Sequence, residues 1–558
     1  MKNLIIIVLL FNGLILSAQI APHKYFIEFT DKNQNPYSLN RPEEFLTQRA
    51  IERRQMMGIG YEENDLPVTP AYIQAIQNIG ALILNPTKWL NGTTIYLADT
   101  TLINAIKILP FVKSVVKNEV VYPIEKESFD KFYIEDQLVA IVEPVLSTKN
   151  ALGYDYGESY DQIHMVNGDV MQQNGFRGQG KVIAQLDAGF YLVPSLPAFD
   201  SLRANNQILG SKDFVKDGRP MFDDPTDQHG MWVLSIMGGI LPGHLIGSAP
   251  KAGFWLLKTE EKPYEYETEE YNWVSGAEFA DSVGADIITS SLGYSVFDST
   301  FKEHSCADMN GHTTVCSRGA NIAFSKGIVV IVSAGNEGYN ANWKCVSAPA
   351  DADNALAIAA VDSNGIRAGF SSLGVDTGGR VKPNVAAMGA LTVIQNSGGS
   401  ASRGSGTSFS APIITGMTAC LMQAKPSYSN IFVIKAIERS CSHYASPDSL
   451  TGYGIPDFVK AMNIMNIKDL IESNNLSVYP NPFTSGFTIK FTTERPGPAT
   501  IQLIDAIGTT VSVRNIRATV GENTLVVNGL SELNAALYLV TLNSDFLHAV
   551  SRVVKLPY

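Results

Sequence analysis

Four short segments carry the residue types of nucleophilic acyl transfer. Gly406-Thr407-Ser408-Phe409-Ser410-Ala411-Pro412 runs into the apolar stretch from Ile413 to Ala424, which reads as a serine opening a helix with Pro412 in its first turn. At that place the positive end of the helix dipole favours a developing oxyanion. A serine hydroxyl alone is a weak nucleophile; it needs an imidazole to take its proton and a carboxylate to hold the imidazole in the correct tautomer. His229, within Asp227-Gln228-His229-Gly230-Met231, precedes a helix expected over residues 231–237. Asp187 closes the strand expected over residues 182–186, ahead of Ala188-Gly189. Ser333-Ala334-Gly335-Asn336-Glu337-Gly338 follows a further apolar strand, so the Asn336 amide is available as an oxyanion donor. Singly, an Asp after a strand, a His at a helix start or an Asn after Gly is an ordinary turn or cap residue. The joint occurrence is what carries information.

These four motifs, in the order Asp187, His229, Asn336, Ser408, resemble those of the subtilisin-like serine peptidases over about residues 157–465. By that resemblance Asp187 orients, His229 is general base and then acid, Ser408 attacks the carbonyl through an acyl-enzyme, and Asn336 supports the oxyanion. Ser290-Ser291-Leu292-Gly293 looks like the segment on which such peptidases lay an extended substrate, giving Ser291, Leu292 and Gly293 as substrate-binding residues. Two positions depart from the family's habit: Ala188 stands where Ser or Thr is common, removing a hydroxyl that could support Asp187, and Met231 stands where Thr is common. The resemblance implies polypeptide substrates and no cofactor for catalysis, and it admits structural calcium; the metal ligands stay unknown. The alternative is a catalytically inactive fold of this kind acting as a surface binding protein.

The elements that must position these residues divide the chain in three. From residue 20 to 124 the order of strands and helices is βαββαβ, a ferredoxin-like α+β unit, with an earlier helix expected over residues 42–57. This unit resembles the propeptides of the same peptidases, inhibitors and folding aids of their own chain. A linker is expected over residues 125–156. From 157 to 468 short apolar strands alternate with helices, the pattern of an α/β fold with a parallel sheet buried on both faces, whose sites lie at the carboxyl ends of the strands. From 474 to 558 helices give way to alternating strands cut by Gly486, Gly508, Gly521 and Gly529, a small all-β sandwich. Val478-Tyr479-Pro480-Asn481-Pro482-Phe483, Ala536-Leu537-Tyr538-Leu539-Val540 and Val553-Val554-Lys555 make this end resemble the type A sorting domain of type IX secretion, with Ala536 in place of the usual glycine. That resemblance implies the type IX machinery as a partner and passage through periplasm and outer membrane to the cell surface or medium.

Residues 1–19 read as a signal peptide: one lysine, about thirteen apolar residues interrupted by Asn12, then Ser17-Ala18. That run falls short of the roughly 20 residues of a membrane span, and no later segment reaches it. With a net charge of −12 and no cluster of basic residues, the 558-residue chain lacks what a dedicated nucleic-acid binder needs. Hydrophobic residues at 45% against 17% charged exclude a disordered chain. Five cysteines in an exported chain leave at least one unpaired, and Cys306 with Cys316 is the expected pair. Those two with His304 and His312 form a rival zinc set whose spacing matches no standard finger.

Overall fold

The computed structural model describes residues 23–120, 132, 135, 137–141, 154–216, 218–262, 264–297, 303–374, 380–472, 476–493, 496–505, 509–544 and 548–557. The expected signal peptide lies outside the described residues. The chain forms two compact units, residues 1–459 and 460–558.

The first unit begins with strands His23–Phe29, Leu82–Thr87, Gly92–Leu97 and Val112–Val120, joined in one antiparallel sheet. In space they run second, third, first, fourth, with helices Pro70–Ile79 and Ile103–Lys107 as the crossovers, which is the ferredoxin-like arrangement. Gly80 ends the longer helix at φ +110°, a conformation glycine adopts without a Cβ penalty. The helix expected over residues 42–57 is instead a short turn Pro42–Glu44 and a helix Gln48–Met57, because the Thr47 hydroxyl accepts from Ala50 N–H and starts the helix there.

Seven strands form the central sheet among the described residues, in the order Val385–Met388, Leu356–Val361, Val329–Ser333, Ile287–Ser290, Val182–Asp187, Gly253–Lys258 and Ile208–Asp213. All neighbouring pairs are parallel. Every residue of Val182–Asp187 is buried, as a strand covered on both faces must be. Helices His229–Gly238 and Thr407–Ala424 pack together, as do Glu267–Ser282 and Val315–Ser325.

The N-terminal sheet lies against helix Glu267–Ser282. Backbone N–H groups of Lys88 and Trp89 both donate to the Glu278 carboxylate at 2.9 Å, and Phe26 stacks on Tyr271 at 4.4 Å. Burial lifts the Glu278 carboxyl to about 7. Arg53 and Arg54, from helix Gln48–Met57, donate to Asp281 at 2.5 and 2.7 Å, and Arg54 also holds Asp65 at 2.8 Å. Charges this deeply buried are tolerable only because each is paired.

The second unit is an antiparallel sandwich. One sheet holds Leu476–Tyr479, Gly486–Thr493 and Gly521–Asn528; the other holds Thr510–Ala518, Gly497–Ile504, Leu537–Asn543 and His548–Val554. Alternate residues such as Phe487, Ile489, Phe491, Ile501, Leu503, Val540 and Leu542 fill its core, the period-two burial of sheets wet on one face.

Candidate active site

Strand Val182–Asp187 ends on Asp187, and helix His229–Gly238 begins on His229. Asp187 Oδ1 lies 2.7 Å from His229 Nδ1 and accepts the Ala188 N–H at 2.8 Å. Because Asp187 only accepts, Nδ1 carries the proton and Nε2 is the basic nitrogen of the neutral ring. Gly230 permits this approach: a Cβ there would stand 2.4 Å from the Gly189 carbonyl oxygen. Met231, in the position where Thr is common, is fully buried in the helix packing.

Ser408 is the second residue of helix Thr407–Ala424. The helix starts earlier than its apolar run suggests, so Pro412 stands inside it rather than in the first turn. Proline has no N–H to give to the carbonyl four residues back, which is that of Ser408. The Ser291 hydroxyl takes over this bond, donating to Ser408 O at 2.9 Å. Asn336 Oδ1 accepts from Thr407 N–H at 2.9 Å and from the Thr407 hydroxyl at 3.0 Å. These bonds fix the amide orientation and leave Nδ2 as the donor toward the pocket.

The predicted residues thus meet at one place. Ser291, Leu292, Gly293, Asn336 and Ser408 line a single pocket. Asp187 and His229 sit together, and Phe409, next to Ser408, stacks on His229 at 6.3 Å.

Three features escaped the sequence. Glu135 and Phe132 fall in the stretch expected to be a linker, yet both line the pocket. Glu135 Oε1 accepts from the Ser408 hydroxyl at 2.9 Å and from Asn336 Nδ2 at 2.5 Å, while Phe132 stacks on His229 at 4.1 Å. Val139–Ala140 continues as a strand antiparallel to Ala401–Gly404. Burial raises the Glu135 carboxyl above its ordinary value, against the pull of His229 and the donated hydrogen bonds. The third feature is Gln185, whose Nε2 donates to Asp187 Oδ2 at 3.0 Å. Its sequence signal was a polar residue in an otherwise apolar buried strand, two positions from Asp187 and so on the same face.

Glu260, Glu265 and Glu269 bring one carboxylate oxygen each within 4.8 Å of the others. Glu269 spends both oxygens on backbone N–H groups, of Glu261 at 2.6 Å and Tyr266 at 3.0 Å, and Glu260 accepts from the Tyr294 hydroxyl at 2.8 Å. Those bonds orient Glu269 and Glu260 within the cluster. The cysteine expectation needs correcting: Cys306 is bonded to Cys345, and Cys316 is a buried free thiol. Cys316 sits fully buried in the first turn of helix Val315–Ser325, its Sγ 3.7 Å from the Thr314 hydroxyl. The rival zinc set falls with it, since Cys306 is in the disulfide and His304 Nε2 is bound to Glu270 at 2.6 Å.

Comparison with known proteins agrees with this layout. Residues 24–131 match the peptidase S8 propeptide domain of Bacteroidota, 178–454 the subtilase family, and 477–555 the secretion system C-terminal sorting domain. Subtilisin NAT of Bacillus subtilis subsp. natto is 26% identical over 312 residues, 55% of this chain and 72% of that protein. The subtilisin of Bacillus pumilus is 26% identical over 286 residues, 51% of this chain and 92% of that protein. Among solved structures, that of MycP1 with the N-terminal propeptide removed is 22% identical, with a TM-score of 0.42 over 54% of this chain and 96% of that one. No helix among the described residues is long and apolar enough to cross a membrane. The sorting domain marks the chain for export to the cell surface or the medium. Residues 178–454 belong to the subtilase family of serine peptidases, in a chain that carries its own propeptide domain before them and a secretion sorting domain after them.

Proposed function

We propose that the chain is the precursor of a serine endopeptidase exported by the type IX machinery, with Asp187, His229 and Ser408 as its triad. The Asp187–His229 hydrogen bond, together with a pocket lined by Ser408, Asn336 and the Phe132 that stacks on His229, supports this reading. Ser408 Oγ attacks the scissile carbonyl carbon as its proton passes to His229 Nε2. The carbonyl oxygen becomes an oxyanion held by Asn336 Nδ2 and the Ser408 N–H at the helix start. His229 gives the proton to the departing amine, leaving an acyl-enzyme that water opens by the reverse proton path. Asp187 keeps Nδ1 protonated and balances the imidazolium. Ser291 to Gly293 bind the substrate backbone as an added strand.

In the precursor the same groups are engaged by Glu135 and Phe132, so the N-terminal region acts as the enzyme's own inhibitor until it is cut away. The deciding experiment is fluorophosphonate labelling of the matured protein beside Ser408→Ala, with casein cleavage measured on the same samples. Labelling and cleavage lost together in the variant identify the nucleophile. A folded, propeptide-free chain that neither labels nor cleaves is a binding protein instead.

A further inference from the structure

The Asp187 carboxylate has two oxygens, and His229 and the Ala188 backbone hold only one. Oδ1 receives His229 Nδ1 and the Ala188 N–H. The Ala188 side chain is a methyl and donates nothing to Oδ2. Gln185 does: its Nε2 donates at 3.0 Å to Oδ2 and at 2.8 Å to the carbonyl of Gly230, the residue after His229. Both partners are pure acceptors, so the amide can face them only through its nitrogen, which settles its orientation. One planar NH₂ group therefore joins the end of the strand carrying Asp187 to the helix turn carrying His229.

The setting favours a positional task. Gln185 is wholly buried in a strand whose other members before Asp187 are Val182, Ile183, Ala184 and Leu186. Its neighbours in register are Leu256 on one side and Thr289 on the other. An apolar side chain there would bury without the cost of desolvating an amide. The amide holds the carboxylate plane: with Oδ2 anchored, rotation about the Cβ–Cγ bond cannot carry Oδ1 away from His229.

We propose that Gln185 is a positioning residue for the Asp187–His229 pair, supplying from within the strand the second-oxygen donor that Ala188 lacks. The inference rests on the peptidase reading for its kinetic consequence, though not for its structural one. It lies outside the residues that line the pocket, so it acts on the chemical step rather than on substrate binding.

Gln185→Met tests this, because it keeps length and approximate volume while removing both donors. In the matured enzyme kcat on a peptide substrate falls about 10- to 100-fold, the scale of a misplaced catalytic group, with KM little changed. A second readout needs no activity. In the full-length Ser408→Ala precursor, the low-field proton resonance of the His229–Asp187 hydrogen bond moves upfield and exchanges faster with water on adding Gln185→Met. Gln185→Leu gives the same two readouts if the Met variant does not reach the folded state. A folded variant with unchanged kcat and unchanged resonance overturns the proposal, and so does a loss of kcat with the resonance intact. If the parent enzyme hydrolyses nothing while the resonance still responds, the peptidase reading fails and the positioning role stands.

Discussion

Glu135 Oε1 stands 2.9 Å from the Ser408 hydroxyl and 2.5 Å from Asn336 Nδ2, so one carboxylate engages the proposed nucleophile and the proposed oxyanion donor together. A typical intramolecular hydrogen bond contributes about 0.5–1.5 kcal/mol, and Glu135 accepts from both groups. Glu135→Ala should therefore raise fluorophosphonate labelling of the uncleaved precursor by roughly tenfold or more. Unchanged labelling of the precursor band on a gel would show that the carboxylate does not limit access.

The same contact predicts a pH dependence. The docked Glu135 carboxyl is raised above its ordinary value of 4.5, so docking takes up a proton. Its hold is strongest below that ordinary value and weakens as pH climbs through the raised one. The ratio of precursor labelling in Glu135→Gln to that in the parent chain should fall as pH rises from about 4.5. A flat ratio would refute the coupling.

Pro412 and Ser291 form a second testable pair. Because Pro412 has no N–H for the Ser408 carbonyl, Ser291→Ala strands that buried acceptor and should cost about 1–3 kcal/mol of stability. In a Pro412→Ala background the helix regains its own donor, and Ser291→Ala should cost appreciably less. Urea unfolding of the four chains of this cycle, each in the Ser408→Ala form, measures the coupling. Equal costs in both backgrounds would mean that Ser291 does not replace the missing N–H.

Arg54 is fully buried between Asp65 and Asp281. Burial alone would raise the Asp65 carboxyl, but the Arg54 guanidinium outweighs it and holds the carboxyl below its usual range. Arg54→Ala leaves Asp281 to Arg53 and Asp65 to Lys326, so the precursor loses about 1–3 kcal/mol. Adding Asp281→Leu should deepen the loss, because buried Arg53 then loses its own carboxylate. Denaturation midpoints of the precursor and its refolding yield give the check.

Asn336→Ala removes the side-chain donor proposed for the oxyanion. Its kcat should fall about 100- to 1,000-fold with KM nearly unchanged, the size established for such a donor in this family. Thr407 N–H loses its acceptor as well, so a modest drop in melting temperature should accompany the kinetic loss. A variant with normal kcat would place the oxyanion elsewhere.

The residues around Asp187, His229, Asn336 and Ser408 were legible in the chain itself, because each needs a strand end or a helix start that local patterning marks. A parallel strand covered on both faces is mostly apolar, and a helix opening after Gly406 shows an apolar run, so fold class and site motifs could be read together. Local patterning also separated the N-terminal α+β unit and the C-terminal sandwich from the α/β domain. Contacts between distant segments could not be read in that way. Glu135 meets Ser408 across 273 positions, and nothing in the spacing of residues 125–156 encodes such a partner. Cys306 is bonded to Cys345, 39 positions away, rather than to the nearer Cys316, a partner that spacing alone does not encode. Gln185 lay between the two cases: its polarity was visible in the sequence, but its meaning depended on where the helix bearing His229 came to rest. Short-range order follows from composition and periodicity, whereas the pairing of buried polar groups is decided by which surfaces the packed elements bring together.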